Sequence, residues 1–320
     1  MAWFSFSWQN FWFSFLALAF EGLPFVLIGS VISGAIAVFV PAWVITRLLP
    51  KNKVAATLAS GFLGVLFPVC DCGVVPIVRR FLNKGLPPSC ALTFMLASPI
   101  VNPIVAFSTY AAFRGQGPAL NALIRMVMGY GIAVLVGLCV LRLNPQAILK
   151  TGALRPNRRQ RTGLSVAPLP DEIPEGEGTP WRTKLVAAIR LSSDDFIDTA
   201  IYFVAGAAVA AVFNTAVNQA FILPLARQPI LATGALAGLS TLMTLCSTSD
   251  AFIAATFTSF PVFARMAFLV FGPMFDLKLV FLYAALFRKR FIALLGVGLF
   301  LVVGLVCSQL LPILYASCGF

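Results

Sequence analysis

Residues 67–76 read Phe-Pro-Val-Cys-Asp-Cys-Gly-Val-Val-Pro and interrupt an apolar stretch that runs from about 54 to 82. A carboxylate, thiols and helix breakers thus occupy the middle of a segment longer than the roughly 18 apolar residues that cross a bilayer. Non-helical backbone at membrane depth is tolerated only where protein surrounds it or where it lines a cavity. The stretch predicts a re-entrant hairpin of two half-helices, and a single interrupted crossing is the alternative.

A similar interruption occurs in the second half of the chain, where residues 244–250 read Thr-Leu-Cys-Ser-Thr-Ser-Asp. Four apolar stretches precede a polar, Pro-rich segment and four follow it. The eight stretches lie at about 11–40, 54–82, 89–113, 118–141, 195–217, 229–260, 262–287 and 291–315. This layout predicts a first transmembrane repeat at 1–141, a polar cytoplasmic linker at 142–183 and a second transmembrane repeat at 184–320.

Matching residues in the two halves support a duplication. They occur in the same order and at nearly constant spacing, which is the signature of an internal repeat. The matches pair Glu21 with Asp198, Gly29 with Gly206, Gly61 with Gly238, Cys70 with Cys246, Pro99 with Pro273 and Asn102 with Asp276.

The composition places the chain in the membrane class. Of its 320 residues, 60% are hydrophobic, 11% are charged and none is histidine. Soluble domains carry roughly a quarter charged residues, so a soluble enzyme, a disordered chain and a secreted disulfide scaffold are excluded. The net charge of +12 comes from basic clusters between apolar stretches, which indicates membrane topology and no nucleic-acid partner.

The basic residues also distinguish the two topologies. If the second and sixth stretches are hairpins, every Lys and Arg outside the membrane falls on the linker side except Arg114, Arg227 and Arg265. Eight simple crossings divide these residues much more evenly, against the positive-inside rule. We therefore predict an all-α integral membrane protein with two inverted repeats, each made of three spanning helices and one re-entrant broken-helix hairpin.

The first interruption holds the strongest candidate site. Cys70 and Cys72 flank Asp71, and two thiols on an unwound turn can converge on one soft ion. An ionisable residue at this depth is costly and is a functional hypothesis by default. The alternative is that cysteine acts as a small apolar core residue, which we expect for the cysteines outside the two interruptions. Cys246 joins the candidates because the repeat places a cysteine at both interruptions.

Further candidate residues lie beside these cysteines. Ser247, Ser249 and Asp250 offer oxygen ligands, although serines also cap half-helices. Asn102 and Asp276 follow the prolines of the third and seventh stretches, and a buried ion pair between Asp276 and nearby Lys278 is an alternative to a substrate role. Glu21 is the candidate proton carrier, or else the partner of a basic residue.

Two sequence elements resemble those of a known family. The elements Phe67–Gly73 (FPVCDCG) and Ser98–Pro103 (SPIVNP) are similar to those of predicted bacterial permeases that include the organoarsenical efflux permeases called ArsP. The resemblance covers both halves and the linker. It implies a multi-pass permease of the bacterial cytoplasmic membrane, whose characterised members export trivalent arsenicals through cysteine thiols.

The residues and the resemblance together predict a transporter and no enzyme. We expect a secondary permease that moves a small thiophilic or anionic solute through a midplane site. The alternatives are an intramembrane thiol oxidoreductase, disfavoured by the Cys-x-Cys spacing, and a channel or structural subunit. No catalytic residue, cofactor or resident metal is predicted. The expected partners are a small-molecule or ion substrate and the lipid bilayer, and a homo-oligomer is left open.

Overall fold

The protein is built almost entirely from helices. The computed structural model describes residues 7–41, 44, 47, 50, 52–67, 69–150, 180–216 and 228–317. In these ranges the β-structure is one isolated antiparallel bridge between Leu149 and Phe287. Five helical spans are long and apolar enough to cross a bilayer: Trp8–Phe39, Pro118–Val140, Trp181–Thr215, Val262–Leu286 and Lys289–Ile313. The predicted all-α, multi-pass membrane class is confirmed.

The helices are numbered here in chain order. In the first half they are α1 (Trp8–Phe39), α2 (Lys53–Gly61), α3 (Leu63–Leu66), α4 (Asp71–Asn83), α5 (Pro88–Ala97), α6 (Pro103–Ala112), α7 (Pro118–Val140) and α8 (Pro145–Ile148). In the second half they are α9 (Trp181–Ala216), α10 (Pro229–Met243), α11 (Asp250–Thr256), α12 (Val262–Met274), α13 (Leu277–Leu286), α14 (Lys289–Leu305) and α15 (Leu311–Ser317). A π-helical turn, Val306–Leu310, joins α14 to α15.

The long helices α1 and α9 come from different halves and pack tightly against each other. Small residues permit this approach, since a side-chain carbon on Gly34 would lie 2.6 Å from the carbonyl oxygen of Ala188. Helix α1 also exposes Trp8, Phe13 and Phe20, which suits contact with lipid. Helices α1 and α9 thus form a packed interface between the two halves.

The first interruption lies where the sequence predicts it. Helix α3 ends at Leu66, Val69 and Cys70 are non-helical, Pro68 lies outside the described residues, and α4 begins at Asp71. Gly73 lets α4 approach α1 closely, because a Cβ there would lie 2.9 Å from the carbonyl oxygen of Phe25. Farther along, the Ser33 hydroxyl donates to the Pro76 carbonyl at 3.1 Å and Lys84 Nζ donates to the Ala37 carbonyl at 3.0 Å. Helix α4 therefore runs beside α1 in the same direction.

Helices α2 and α5 also lie side by side in the same direction. The Thr57 hydroxyl donates to the Ser89 hydroxyl at 3.4 Å near the start of both helices. Farther along, a Cβ on Gly64 would lie 2.7 Å from the Cα of Ser98. Both helices consequently begin at the same depth in the protein and extend in the same direction.

In the second half, helix α10 ends at Met243, Thr244 caps it, and α11 begins only at Asp250. The seventh stretch is bent by Pro273 near the end of α12, and Asp276 caps α13 by accepting from the Leu279 amide at 2.7 Å. Asn102 caps α6 in the same way, accepting from the Ile104 amide at 3.0 Å.

The two ends of α7 define two faces of the molecule. Beside its start, Arg265 Nη1 donates to Gln116 Oε1 at 2.6 Å. Beyond its end, the Arg288 amide donates to the Ile148 carbonyl at 3.0 Å. We call the first the far face (residues 115–117, 258–265 and 312–315) and the second the linker face (residues 148–149 and 287–288).

The predicted linker is described only at its ends. Residues 145–148 form α8, and residues 181–183 already belong to α9, because Pro180 provides a helix start before the polar residues that follow. Residues 151–179 lie outside the described part of the chain.

Candidate functional site

The two interruptions meet at one small cleft in the interior. Both halves contribute its walls, through α1, α4, α9, α13 and the interruptions themselves. The lining residues are Leu18, Glu21, Gly22, Phe25, Cys70, Asp71, Cys72, Phe203, Cys246 and Lys278. The cleft has room for about one water molecule, so the site is nearly closed in this conformation.

Cys70, Asp71 and Cys72 form a compact group of donors at the start of α4. One ligand atom of each lies within 4.8 Å of the others, and Cys72 Sγ donates to Asp71 Oδ2 at 3.8 Å. Cys70 has extended backbone at the cap position, Asp71 is the first helical residue and Cys72 the second. The two thiols therefore flank the start of the helix. Thiolate and carboxylate donors in this arrangement could hold a soft metal ion.

Lys278 connects this group to the second interruption. Its Nζ lies 3.0 Å from Asp71 Oδ2 and 3.4 Å from Asp276 Oδ2. The same nitrogen donates to the carbonyls of Thr244 at 3.3 Å and Leu245 at 3.2 Å. Lys278 is 4% exposed, so one buried ammonium binds both interruptions and two carboxylates. Asp71 Oδ1 has no hydrogen-bond partner and remains free to accept one.

A second buried ion pair joins the halves, with the cation now in the first half and the carboxylate in the second. Arg125 on α7 is fully buried, and its Nη2 lies 3.0 Å from Asp250 Oδ1 and 2.9 Å from Asp250 Oδ2. The guanidinium also donates to the Thr109 hydroxyl at 2.8 Å and to the Ser247 carbonyl at 2.9 Å. Asp71 and Asp250 each begin the helix that follows an interruption. Each pairs with a cation from the opposite half.

The other predicted site residues differ in whether they line the cleft. Glu21 lines it and accepts a hydrogen bond from the Ser249 hydroxyl at 3.2 Å, which connects α1 to the second interruption. Ser247 is buried and contributes its carbonyl to Arg125. Asn102 is absent from the cleft lining and caps α6.

The cysteines outside the interruptions have varied surroundings. Cys90 is buried beside Thr57, with 3.9 Å between its sulfur and the Thr57 hydroxyl oxygen. Cys307 is buried in the π-helical turn, Cys139 is exposed on α7, and Cys318 lies outside the described residues. None of the described three lines the cleft.

Sequence reasoning missed the central role of two cations. Lys278 was expected only as a partner of Asp276, and no role was assigned to Arg125. The available signal was their position, because a basic residue inside an apolar stretch requires a buried partner. The choice of partner depends on packing between the halves, which the local sequence does not reveal.

Asp198, which the sequence pattern pairs with Glu21, has a structural partner. Asp198 Oδ2 lies 3.3 Å from Arg79 Nη1. One turn earlier on α9, Asp195 Oδ2 accepts from Arg80 Nε at 2.9 Å and from the Ser33 hydroxyl at 2.7 Å. These bonds join α4 to α9. Asp198 therefore forms a contact between helices, whereas Glu21 lines the cleft.

Comparison with known proteins gives the same family over almost the whole chain. A family model described as "Predicted permease" (ArsP_1) matches residues 7–312. The UPF0718 protein YcgR of Bacillus subtilis is 36% identical over 282 residues, which cover 88% of this chain and 90% of that protein. A Streptococcus mutans protein named as a putative two-component membrane permease complex subunit is 31% identical over 279 residues, 87% of each chain. No solved structure matches. The chain therefore belongs to this family of predicted membrane permeases.

Proposed function

We propose that the protein is a secondary permease that moves a small thiophilic or anionic solute through the central cleft. The observation that carries the proposal is the convergence of Cys70, Cys72 and Cys246 on one cleft bridged by Lys278. Family membership supports a membrane transporter, and the chemistry of the cleft supports the solute class. Buried charges are costly inside a membrane, so their presence beside the thiols supports a functional site.

The proposal includes two inverted repeats with re-entrant hairpins. Helix α4 runs beside α1 and ends near the depth of Ala37, whose carbonyl accepts from Lys84 Nζ. Helix α5 starts a few residues after α4 ends. Because α2 starts beside α5, both ends of the interrupted segment lie near one level. The equivalent caps formed by Asn102 and Asp276 support the repeat. Orientation in the bacterial cytoplasmic membrane follows from the positive-inside rule.

The chemistry of the cleft suits a trivalent arsenical. When two thiols bind an organoarsenous acid, each forms one As–S bond, and each thiol proton leaves with one hydroxyl as water. Cys70 and Cys72 would supply the two sulfurs, and Cys246 would serve as a third thiol as the cleft rearranges. Asp71, Glu21, Asp250, Ser247, Ser249, Asn102 and Asp276 complete the proposed site as lining, positioning or proton-relay residues.

Movement of a solute requires the cleft to widen. The two interruptions supply the bending points, and the Lys278 bonds hold them together in the present conformation. Energy would come from an ion gradient or from a second component. The Streptococcus relative is named as a subunit of a two-component complex, which favours including such a partner in the proposal.

The thiol role is tested by a Cys70→Ser/Cys72→Ser double variant. We expect methylarsenite transport in membrane vesicles to fall by roughly tenfold or more, because a hydroxyl is a poor ligand for a soft centre. Cys139→Ser is the matched control, since this cysteine is exposed on α7 and should leave transport unchanged. Transport by the double variant at the control rate would contradict the thiol role.

The hairpin arrangement makes a separate prediction about accessibility. In a Cys139→Ser background, cysteines introduced at Lys53 and Asn83, on either side of the first interrupted stretch, should react with an impermeant maleimide from the same side of the membrane. A cysteine at Arg114 should react from the opposite side. All three positions are exposed in the structure. Labelling of Lys53 and Asn83 from opposite sides would instead indicate eight simple crossings.

A further inference from the structure

A second cavity, separate from the central cleft, opens at the far face. Its volume is about 650 Å³, in the range of small-molecule sites. Its lining includes Gln116 before α7, Thr258 before α12, Phe263 and Arg265 on α12, and Tyr315 on α15. Apolar walls with a few polar groups are typical of ligand cavities.

Among the described residues of this lining, Arg265 is the only charged one, and it is almost completely buried, with 6% of its surface exposed. Its Nη1 donates to the neutral Gln116 amide, and its guanidinium carbon lies 5.6 Å from the centre of the Phe113 ring. Its Nε is buried without a hydrogen-bond partner. Among the described residues no carboxylate forms an ion pair with it.

The sequence explains why no carboxylate of the described residues pairs with this guanidinium. No Asp or Glu occurs between Asp71 and Asp171, between Asp250 and Asp276, or after Asp276. The acids nearest to Arg265 in the chain are Asp250 and Asp276, and both are paired with other cations. Arg114, which is exposed beside Gly115 of the cavity lining, adds a second positive charge nearby.

We propose that this cavity binds the oxyanion group, a carboxylate, phosphate or sulfate, of a molecule that arrives at the far face. A buried cation without a counterion is strongly unfavourable, and a bound oxyanion removes this penalty. The planar fork of arginine matches the geometry of such groups. The proposal rests on Arg265 and does not depend on the thiols of the central cleft.

The test is calorimetric titration of inorganic phosphate into the full-length protein in an uncharged detergent at constant ionic strength. Wild-type protein should show saturable binding that Arg265→Gln weakens by roughly tenfold or more. Arg265→Lys should retain only part of the affinity, because it lacks the fork. Lys289→Gln, which removes an exposed charge beside the linker face, is the matched control for net charge and should change the affinity less than about threefold, since exposed charges contribute little.

A second variant keeps the test decisive if Arg265→Gln does not fold. Thr258→Trp fills the cavity from an exposed position while retaining the guanidinium, and it should also abolish phosphate binding. Monodisperse elution from a sizing column checks the fold of each variant. The proposal is overturned if wild-type protein does not bind phosphate, or if Arg265→Gln and Thr258→Trp bind it as wild type does.

One further comparison identifies the source of the anion. In nanodiscs, phosphatidylglycerol that competes with phosphate would assign the site to a lipid headgroup, whereas an unchanged phosphate affinity would assign it to a soluble anion; both results support an oxyanion site.

Discussion

Replacing Lys278 with methionine is expected to reduce solute transport to the level of vesicles that lack the protein. Methionine has a similar length but no charge, so Asp71 and Asp276 would face each other without the ammonium that now lies 3.0 Å and 3.4 Å from them. Removing one partner from a buried ion pair costs about 3–5 kcal/mol. The variant should therefore also unfold at a lower temperature, measured by differential scanning fluorimetry in detergent.

Two other variants distinguish this role from a general loss of charge. Asp276→Asn leaves Lys278 paired with Asp71, so its loss of stability should be smaller than that of Lys278→Met. Lys289→Met removes an exposed lysine at the linker face and should leave transport and thermal stability unchanged. Wild-type transport by Lys278→Met would show that the bridge between the interruptions is dispensable.

The second large effect is expected at the pair formed by Arg125 and Asp250. Either Arg125→Met or Asp250→Asn leaves a buried group without its partner and should lower the free energy of unfolding by about 3–5 kcal/mol. The Arg125→Met/Asp250→Asn double variant should recover a large part of this loss, because it leaves no unpaired charge. Unfolding curves of the four proteins in the same detergent measure the coupling.

Additive losses in the double variant would contradict a direct coupling between these residues. Arg114→Met serves as the control, since Arg114 is exposed on the far face and its removal should change stability by less than about 0.5 kcal/mol. The comparison matters for the fold because Arg125 is fully buried and reaches across from the first half to the second.

Hydropathy and helix-breaking residues predict much of the fold. The membrane class follows from the apolar stretches, and the interruptions at Cys70 and Cys246 follow from thiols, hydroxyls and proline within them. These are local signals, since each depends on neighbours within one segment. The permease family is likewise predicted from two short elements, and the family match confirms it.

The connections across the halves could not be predicted in the same way. Lys278 and Asp71 are far apart in the chain, and their pairing depends on how α13 packs beside α4. For Asn102 a local signal was available: asparagine followed by proline is a typical helix start, and the residue caps α6. Its place in the proposed site therefore has less structural support than that of Cys70 or Glu21.

Thr244 gives the second interruption a strained backbone. With φ of 48° and ψ of 44°, it adopts a left-handed conformation that disfavours a branched side chain, although it is completely buried. Its carbonyl is held by Lys278. Departure of the ammonium would release this carbonyl and allow the residue to relax to ordinary backbone angles. In the proposed transport cycle, Lys278 would thus hold strained backbone at the second interruption while it neutralises the carboxylate of Asp71 beside the thiols.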